Sequence, residues 1–458
     1  MTHTTHWSMR SIEAALGELL LHTRGDSGAA FTNITTDTRE LAPGSVFVAL
    51  KGERFDGHAF AGDAEKKGAG LVIVEHEVAV KCPQIIVRDT LEAYGALAAA
   101  WRAQFSVPVI CVAGSNGKTT TTQMIAAILR TALGEEHVHA TRGNFNNDVG
   151  VPKTLLGMSA RTKAAVIEAG ISHPGEMARL AGWIRPTAVV LTNAQREHQE
   201  FLDGVMGSAR ENAFALVALS AKGTAVLPAK DGAFDLWRAY ARARGCRVVT
   251  YGEGEGDFWV AARETDAALT LRLADRRETF EVNFVGAHAA HDAAASAAVA
   301  LAVGVDAAHI VRALAAFKPV AGRGVRHRLS SGCVLIDDAY NANPDSMRAA
   351  VDVLAQMPAP RILVAGDMAE TGENSRAFHA EIGAYARERG IERLLATGDE
   401  MRAAVEAFGP SARHFDTLEA LIEAARGARA SAGTLLVKAS HSQHLTRVVE
   451  ALVEDDKH

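Results

Sequence analysis

The sequence predicts an α/β protein that is divided into three domains. Short apolar runs with the composition of strands alternate with helical segments along most of the chain, a pattern that is typical of parallel sheets. One run, at residues 107–113, leads through a glycine-rich turn into a helical pattern. The length of 458 residues corresponds to about three domains of ordinary size.

The expected domains are residues 1–86, 87–319 and 320–458. In the N-terminal block, short strands are separated by turn residues, for example at 45–50 and 70–74. We therefore expect a small α/β domain at this end of the chain.

The central block opens with a helix at about 90–104 and continues with strands that alternate with helices, which indicates a parallel sheet. Two of these strands are expected at 164–168 and 187–192. Residues 256–285 contain strand-like runs without an intervening helix, so we expect them to form an antiparallel appendage on the sheet. The alanine-rich run at 287–302 is expected to be a core helix.

The C-terminal block again alternates short apolar strands with amphipathic helices. This pattern predicts a second doubly wound unit, which is Rossmann-like. Its expected strands include residues 334–336, 361–364, 393–396 and 435–437.

Composition and charge argue against several classes of protein. The chain is 48% hydrophobic and 22% charged, as in ordinary soluble globular proteins, and its net charge of −6 implies no general attraction to nucleic acid. The four cysteines are far apart and form no Cys-x-x-Cys pair, so buried, reduced thiols are expected. Neither a signal peptide nor a membrane span is indicated. We expect a cytoplasmic monomer.

The glycine-rich turn, residues 114–120, reads Gly-Ser-Asn-Gly-Lys-Thr-Thr. Glycines let backbone N–H groups approach phosphate oxygens, and the N-terminus of the following helix favours an anion. Lys118 is expected to reach the β- and γ-phosphates of ATP, and the Thr119 hydroxyl is expected to coordinate Mg²⁺. The predicted ATP-binding residues of this loop are Gly114, Asn116, Gly117, Lys118, Thr119 and Thr120.

The loop is shorter than the general phosphate-loop motif, because Val112 stands where that motif has its first glycine. A glycine turn that binds nothing is the alternative. The preceding strand, the following helix and the Lys-Thr-Thr triplet all favour the phosphate site.

A magnesium–ATP site needs further ligands, and two candidates follow strands. Glu168 ends an apolar strand and is predicted to point into the crevice at the carboxyl edge of the sheet. His198 follows the next strand and is a candidate second ligand. Each has a plain alternative, which is a solvated strand-end glutamate or an ordinary loop histidine.

A polar string at residues 337–344 reads Asp-Asp-Ala-Tyr-Asn-Ala-Asn-Pro. Two adjacent acids at a strand end lose solvation and repel each other unless a cation or hydroxyl groups hold them. A helix N-cap explains a polar residue just after the string. It does not explain Asp337, Asp338 and Asn341 together, so we expect a ligand site here.

In these features the chain resembles the Mur ligases of peptidoglycan synthesis over nearly its whole length. The N-terminal blocks and the polar string are most similar to the branch that adds D-alanyl-D-alanine to a UDP-N-acetylmuramoyl (UDP-MurNAc) tripeptide. The matching blocks lie, in the family's order, at 36–39, 47–52, 55–58, 114–120, 143–147, 150–152, 173–176, 337–344 and 366–368.

The resemblance implies an N-terminal domain for the UDP-sugar, a central ATPase domain and a C-terminal Rossmann-like domain for the amine substrate and nucleotide. It also implies the reaction. A substrate carboxylate attacks the γ-phosphate of ATP to give an acyl phosphate, and an amine then displaces phosphate to form an amide. Because two anions must meet, Mg²⁺ and cationic side chains are needed to neutralise them. The expected partners are small molecules, a UDP-MurNAc-peptide and a dipeptide amine.

The resemblance also implies roles for individual residues. The expected catalytic residues are Lys118, Glu168, His198 and Arg323, the last of them near the γ-phosphate or the acyl phosphate. Two residues expected near the nucleotide or the incoming dipeptide are Asp338 and Asn341. The residues expected to bind the substrates are Thr38, Arg39, Asn144, Asn147, Lys438, Ser440 and His441.

One departure from the family concerns the metal. The family usually has a carbamylated lysine shortly after the histidine, and this chain has no lysine there. Glu211 falls near that position, and its carboxylate is expected to present the same negative charge to a second Mg²⁺. A solvated helix glutamate is the alternative. The expected metal ligands are therefore Thr119, Glu168, His198 and Glu211.

Two departures lie where adenine and the amine are expected to bind. The family's His-Asn pair reads His288-Ala289, so the asparagine expected to contact adenine is missing. Either His291 or Asp292 substitutes for it, or the protein binds nucleotide more weakly. The family's Lys-Gly-Ser-Arg reads Lys-Ala-Ser-His at 438–441, and imidazole is not a conservative replacement for a guanidinium clamp. A paralogue with another amine or acceptor, and a catalytically weak nucleotide-binding homologue, are therefore the alternative interpretations.

Overall fold

Three β-sheets follow one another along the chain, and helices pack against each of them. The structure is a computed structural model, and it describes residues 6–26, 28–52, 55–253, 256–261, 268–273, 276–284 and 286–457.

The first sheet has five strands, of which only the first runs antiparallel to its neighbour. Its elements are α1 (Met9–Leu16), β1 (Leu20–Arg24), β2 (Ile34–Thr35), β3 (Ser45–Val48), α2 (Ala61–Lys66), β4 (Ala69–Val74) and β5 (Gln84–Val87). The strand order is β1-β5-β4-β3-β2.

Helix α3 (Thr90–Arg102) joins this sheet to the next one. Asp89 caps its N-terminus by accepting hydrogen bonds from the backbone N–H groups of Leu91 and Glu92. Tyr94 and Leu97 are buried in the core of the first sheet, whereas Ala98 belongs to the core of the second. The helix therefore packs into both cores, and the domain boundary at residue 86 stays a prediction.

The central sheet has nine strands in the order β14-β13-β12-β11-β10-β9-β6-β8-β7. Those strands are β6 (Val109–Ala113), β7 (Val138–Ala140), β8 (Ala164–Glu168), β9 (Ala188–Leu191), β10 (Thr224–Pro228), β11 (Arg247–Glu253), β12 (Phe258–Ala261), β13 (Ala268–Leu273) and β14 (Arg276–Glu281). The helices are α4 (Lys118–Leu133), α5 (Gly150–Leu156), α6 (Glu176–Ile184), α7 (Gly204–Val217), α8 (Phe234–Ala243), α9 (Ala287–Ala302) and α10 (Ala307–Ala316).

The middle of this sheet is parallel and fully buried. Every residue of β6, β8 and β9 is buried, and the apolar clusters on the two faces of the sheet include α4 and α9 on one side and α6 and α7 on the other. Burial on both faces explains why these strands read as continuous apolar runs. Strand β6 lies between β8 and β9, so their carboxyl ends meet at one edge, where open α/β sheets bind ligands.

The predicted antiparallel appendage is only partly right. Strand β12 pairs with β11 in parallel, so it continues the main sheet. Antiparallel pairing begins with β13 and β14. Of the predicted segment, residues 262–267, 274–275 and 285 lie outside the described residues.

The third sheet has six strands in the order β15-β16-β20-β17-β18-β19, and only β15 is antiparallel to its neighbour. Its strands are β15 (Val325–Arg328), β16 (Val334–Asp337), β17 (Arg361–Ala365), β18 (Arg393–Thr397), β19 (Ala412–Phe415) and β20 (Thr434–Lys438). Its helices are α11 (Pro344–Ala355), α12 (Ser375–Glu388), α13 (Met401–Phe408), α14 (Leu418–Arg429) and α15 (Thr446–Glu454). The doubly wound pattern predicted for this block is confirmed.

All four cysteines are free thiols, and three of them are buried. Burial raises the pKa of Cys111 to about 12. Across the described parts of the chain, every helix is too short or too polar to cross a membrane.

Candidate active site

The loop between β6 and α4 contains two glycines that no other residue could replace without strain. Gly114 has a φ of +119°, and a Cβ added there would lie 2.3 Å from Thr192 Oγ1. Gly117 has a φ of +82°, and its added Cβ would lie 2.3 Å from Asp292 Oδ1. Because α4 begins at Lys118, its unpaired first-turn N–H groups lie at the loop, which is the arrangement that binds phosphate.

Two asparagines fix the shape of this loop from neighbouring elements. The Asn193 side-chain oxygen accepts the Asn116 N–H at 2.9 Å, and the Asn193 carbonyl accepts the Ser115 N–H at 2.9 Å. Asn212 Oδ1, from α7, accepts the Gly114 N–H at 2.9 Å. The loop is therefore held in place before any ligand binds, which favours preorganised phosphate binding.

Lys118 lies across the loop. Its Nζ donates to the carbonyl of Gly114 at 2.7 Å and to that of Ser115 at 2.8 Å, and it lies 3.3 Å from Glu197 Oε2. The Glu197 side chain is only 4% exposed. The charge of Lys118 is thus balanced by a carboxylate that the sequence argument did not identify, and its contact with the phosphates of ATP stays a prediction.

Glu168 lies beside the first turn of α4. Its Oε1 accepts hydrogen bonds from the Thr119 hydroxyl at 3.0 Å and from Asn146 Nδ2 at 2.7 Å. Its Oε2 is buried and, within the described residues, has no hydrogen-bond partner. A buried carboxylate oxygen without a partner is costly, and a cation next to the Thr119 hydroxyl would satisfy it. Oxygen donors of this kind suit Mg²⁺, so these two residues fit the expected metal.

The other two expected metal ligands are engaged elsewhere. Glu211 is buried in α7, and its Oε1 accepts the Met177 N–H at the start of α6 at 2.9 Å. His198 has a φ of +46°, and its Nδ1 pairs with the Glu370 carboxylate, whose pKa is held below its usual range by this hydrogen bond. In the described part of the chain, no three His, Cys, Asp or Glu side chains are grouped to hold a metal. The metal roles of Glu211 and His198 stay predictions.

Arg323 takes part in a stack of side chains from the C-terminal block. Its guanidinium lies 4.2 Å from the centroid of the Tyr340 ring, and that ring lies 5.5 Å from the His441 ring. The positive charge of Arg323 also acts on Asp292, the residue beside Gly117. Burial raises the pKa of Asp292 well above its usual range, and the charge of Arg323 opposes that rise. The charge of Arg323 thus reaches Asp292, and its contact with phosphate stays a prediction.

The adjacent acids of the polar string are held within the domain itself. Asp337 Oδ2 accepts a hydrogen bond from the Gly322 N–H at 3.0 Å, and Asp338 Oδ2 accepts a hydrogen bond from Lys438 Nζ at 2.8 Å. Lys438, which is only 5% exposed, also donates to the Asn341 carbonyl at 2.9 Å. A cation therefore holds Asp338, and it is Lys438, whereas Asp337 is held by backbone N–H groups. Lys438 itself was expected to bind substrate.

Ser440 is engaged in a similar way. Its hydroxyl accepts the Ala369 N–H at 2.7 Å and donates to the Ala342 carbonyl at 3.2 Å. By contrast, His441 is exposed. Of the expected C-terminal substrate residues, His441 is the one whose side chain lies open to solvent, and the substrate roles of all three stay predictions.

The expected UDP-sugar residues lie on two segments that an ion pair brings together. Arg39, 85% exposed, pairs with Asp37 at 2.7 Å, and its hydrogen bonds lower the pKa of that carboxyl group to about 2. The neighbouring Glu40 pairs with Lys153 of α5 at 2.7 Å.

On those two segments, Thr38 and Asn147 make contacts within the protein. The Thr38 carbonyl accepts a hydrogen bond from Lys67 Nζ, and Asn147 Oδ1 accepts a hydrogen bond from the Gly150 N–H at the start of α5. Asn144 is exposed in the same loop as Asn147. None of these contacts tests whether the residues bind substrate.

The C-terminal block contacts the central site directly. Asn343 Nδ2 donates to Asn116 Oδ1 at 2.8 Å, which joins the polar string to the phosphate loop. Arg196 Nη2 lies 2.6 Å from Asp345 Oδ1, and its Nη1 lies 2.7 Å from Glu381 Oε2. These contacts place the loop after β9 against α11 and α12.

Several site residues escaped the sequence argument. Each lies inside an identified segment or next to an identified residue or strand, so position along the chain was the available signal. These residues are Asn146, Asn193, Glu197, Asn212 and Asn343.

Comparison with known proteins gives matches to one family along the chain. Three family models match it, described as the Mur ligase family catalytic domain at residues 30–102, the Mur ligase middle domain at 112–300 and the Mur ligase glutamate ligase domain at 322–441. The chain is 38% identical to the UDP-N-acetylmuramoyl-tripeptide–D-alanyl-D-alanine ligase of Escherichia coli, over 92% of this chain and 94% of that protein. It is 33% identical to the Bacillus subtilis protein of the same name, over 92% of this chain and 93% of that protein.

Solved structures agree with these matches. MurF from Acinetobacter baumannii superposes with a TM-score of 0.91 at 29% identity and covers 99% of this chain and 100% of its own. The MurF ligase of Thermotoga maritima, solved in complex with ADP, has a TM-score of 0.83 at 26% identity. The match covers 93% of this chain and 98% of that one.

Proposed function

This chain belongs to the Mur ligase family, and we propose that it joins D-alanyl-D-alanine to a UDP-MurNAc-tripeptide with the hydrolysis of ATP to ADP and phosphate. The observation that carries an ATP-dependent reaction is the preformed phosphate loop beside the unpartnered Glu168 Oε2. The choice of acceptor and amine rests on the relatives, which share this activity in name over more than nine-tenths of the chain.

The site is suited to bringing two anions together. The tripeptide carboxylate attacks the γ-phosphorus, ADP leaves, and an acyl phosphate forms. Lys118 would lower the repulsion between these anions from within the loop. Arg323 would add a second positive charge from the C-terminal domain, where it packs on Tyr340. Thr119 and Glu168 would hold Mg²⁺, which supplies charge neutralisation to the phosphates when it is bound.

The second half of the reaction forms the amide. The dipeptide amine attacks the carbonyl carbon of the acyl phosphate, and phosphate departs with one oxygen that belonged to the carboxylate. Acyl phosphates are hydrolysed by water, so the site must be closed during the reaction. The contacts of Asn116 with Asn343 and of Arg196 with Asp345 support a closed arrangement of the central and C-terminal domains.

The domain roles follow from this assignment. We place the UDP-sugar at residues 1–86, where Thr38 and Arg39 contact it, with Asn144 and Asn147 of the central domain as further contacts. ATP lies at residues 87–319, and the dipeptide lies at 320–458 near His441. The protein acts as a monomer in the cytoplasm, and the free, mostly buried thiols fit that reducing compartment.

The test is an assay of phosphate release with UDP-MurNAc-tripeptide, ATP, Mg²⁺ and a panel of amines. D-alanyl-D-alanine should stimulate release and yield the pentapeptide product by mass spectrometry. Stimulation by a different amine alone would assign the chain to a paralogous activity.

A further inference from the structure

Glu197 is a buried acid at the phosphate site, and none of the roles assigned above uses it. Both of its carboxylate oxygens are engaged. Oε2 lies 3.3 Å from Lys118 Nζ, and Oε1 accepts a hydrogen bond from Asn212 Nδ2 at 3.2 Å. Asn212 in turn accepts the Gly114 N–H, so the acid is anchored to the loop that it serves.

The hydrogen bonds of Lys118 are saturated by the protein. An ammonium group has three protons to donate, and here three acceptors surround it, namely the carbonyls of Gly114 and Ser115 and the carboxylate of Glu197. A phosphate oxygen can therefore bind Lys118 only by replacing one of them. The contact to Glu197 is the longest of the three. It is also the one that an incoming phosphate would weaken most, because the phosphate and the carboxylate repel each other.

From this geometry we propose that Glu197 is a positioning residue for Lys118 and that nucleotide binds by exchanging a phosphate oxygen for the Glu197 carboxylate. The proposal rests on the proposed function, because it takes the loop to be the ATP site. When the exchange occurs, the buried carboxylate loses its cation while it faces the incoming phosphates. Glu197 should therefore weaken the binding of nucleotide that carries no divalent cation, and it should weaken the binding of the metal–nucleotide complex much less.

The experiment measures ADP affinity of the full chain by calorimetry, once with excess Mg²⁺ and once with EDTA. For the parent protein we expect much weaker binding in EDTA. In Glu197→Gln, metal-free ADP should bind about ten-fold more tightly than in the parent, because both the competing ion pair and the repulsion are removed. The affinity in Mg²⁺ should change less, so the ratio of the two affinities should shrink.

A matched control lies on the same segment. Glu200→Gln removes the same charge from an exposed position three residues away and should leave the ratio unchanged. Glu197→Asp keeps the charge but shortens its reach, so it should give an intermediate ratio. Should the Gln variant fail to fold, a parent-like ratio in Glu197→Asp would overturn the proposal.

A folded Glu197→Gln protein with unchanged or weaker metal-free binding would also overturn it and would make Glu197 a structural residue. The parent titration separates this result from the proposed function. A parent that binds ADP with Mg²⁺ supports the loop as a nucleotide site whatever the variants do, and a parent that binds no nucleotide would contradict both proposals.

Discussion

The phosphate loop and the polar string at 337–344 are both polar segments that follow strands, but their charges are satisfied in different ways. At the loop, Glu168 keeps one carboxylate oxygen for which the described residues provide no partner, and Lys118 is held by a carboxylate that a phosphate could replace. In the string, Asp337 accepts the Gly322 N–H, and Asp338 pairs with Lys438. The loop is therefore prepared for a ligand, whereas the two acids of the string are bound to groups of their own domain.

The largest effect expected from this difference is the loss of Lys118. Lys118→Ala removes the cation at the loop, so ATP turnover should fall by about 10³-fold or more. The same substitution leaves the buried Glu197 carboxylate without its ion-pair partner, so the unfolding temperature should fall as well. Steady-state kinetics and thermal unfolding check this. Lys163→Ala, at an exposed position of the same domain, is the control. A turnover loss below ten-fold would contradict the role of the loop.

Glu168→Gln tests the open oxygen of the loop. The amide keeps the size and the hydrogen bond from Thr119 but removes the charge that a cation would balance. Turnover should fall by about 10²-fold, and the Mg²⁺ concentration for half-maximal rate should rise. A magnesium titration of turnover measures both, and an unaltered Mg²⁺ requirement would show that Glu168 does not serve the metal.

Lys438→Met tests the string. This substitution leaves Asp338 without its partner, and breaking a buried ion pair costs about 3–5 kcal/mol. Urea unfolding should show a loss of that size, and the double variant Lys438→Met with Asp338→Asn should recover part of it. A rise in the KM for the dipeptide at unchanged stability would instead make Lys438 a substrate ligand.

Arg196→Ala tests the contact between the two regions. The pairs with Asp345 and Glu381 are partly exposed, so their loss should lower the free energy of unfolding by only about 1 kcal/mol. The substitution should also raise the KM values of the substrates more than it lowers kcat. Hydrogen bonding to Arg196 lowers the pKa of Glu381 in the folded protein. The stability that this pair contributes is therefore fully present above pH 4.5, the ordinary pKa of Glu381, and it is lost as the pH falls through the lowered pKa. The stability difference between parent and variant should thus be larger at pH 7 than at pH 3, and equal differences would rule out this pair.

The smallest effect is expected at His441. His441→Arg introduces the guanidinium that the family has there, and we expect the KM for D-alanyl-D-alanine to change by a few-fold, about 1 kcal/mol or less. The ring contact with Tyr340 is retained in His441→Phe, which serves as the comparison variant. A change of two orders of magnitude would mean that position 441 determines the amine.

Sequence reasoning succeeded where the signal was local. The strands β6, β8 and β9 are continuous apolar runs because both of their faces are buried, and Gly114 to Thr119 lie in one short motif. Strand β19 was not expected, since its residues include Arg413 and His414 and its burial is incomplete. The orientation of β12 was wrong, because strand composition does not determine whether a neighbour is parallel.

The missed features of the site depend on distant contacts. Asn212 is 98 residues from Gly114 in the chain, and Lys438 is 100 residues from Asp338. Only the fold brings these pairs together. The sequence indicated that the two acids needed a cation or hydroxyl groups, but the identity of the cation at Asp338 followed from the position of β20 beside β16.

The most direct test of carboxyl activation at this edge of the central sheet is oxygen transfer from substrate to phosphate. UDP-MurNAc-tripeptide labelled with ¹⁸O in the reacting carboxylate would be incubated with ATP, Mg²⁺ and D-alanyl-D-alanine, and the released phosphate analysed by mass spectrometry. One ¹⁸O atom should appear in each phosphate, and no labelled phosphate should form with Lys118→Ala. Unlabelled phosphate released together with the amide product would contradict an acyl phosphate.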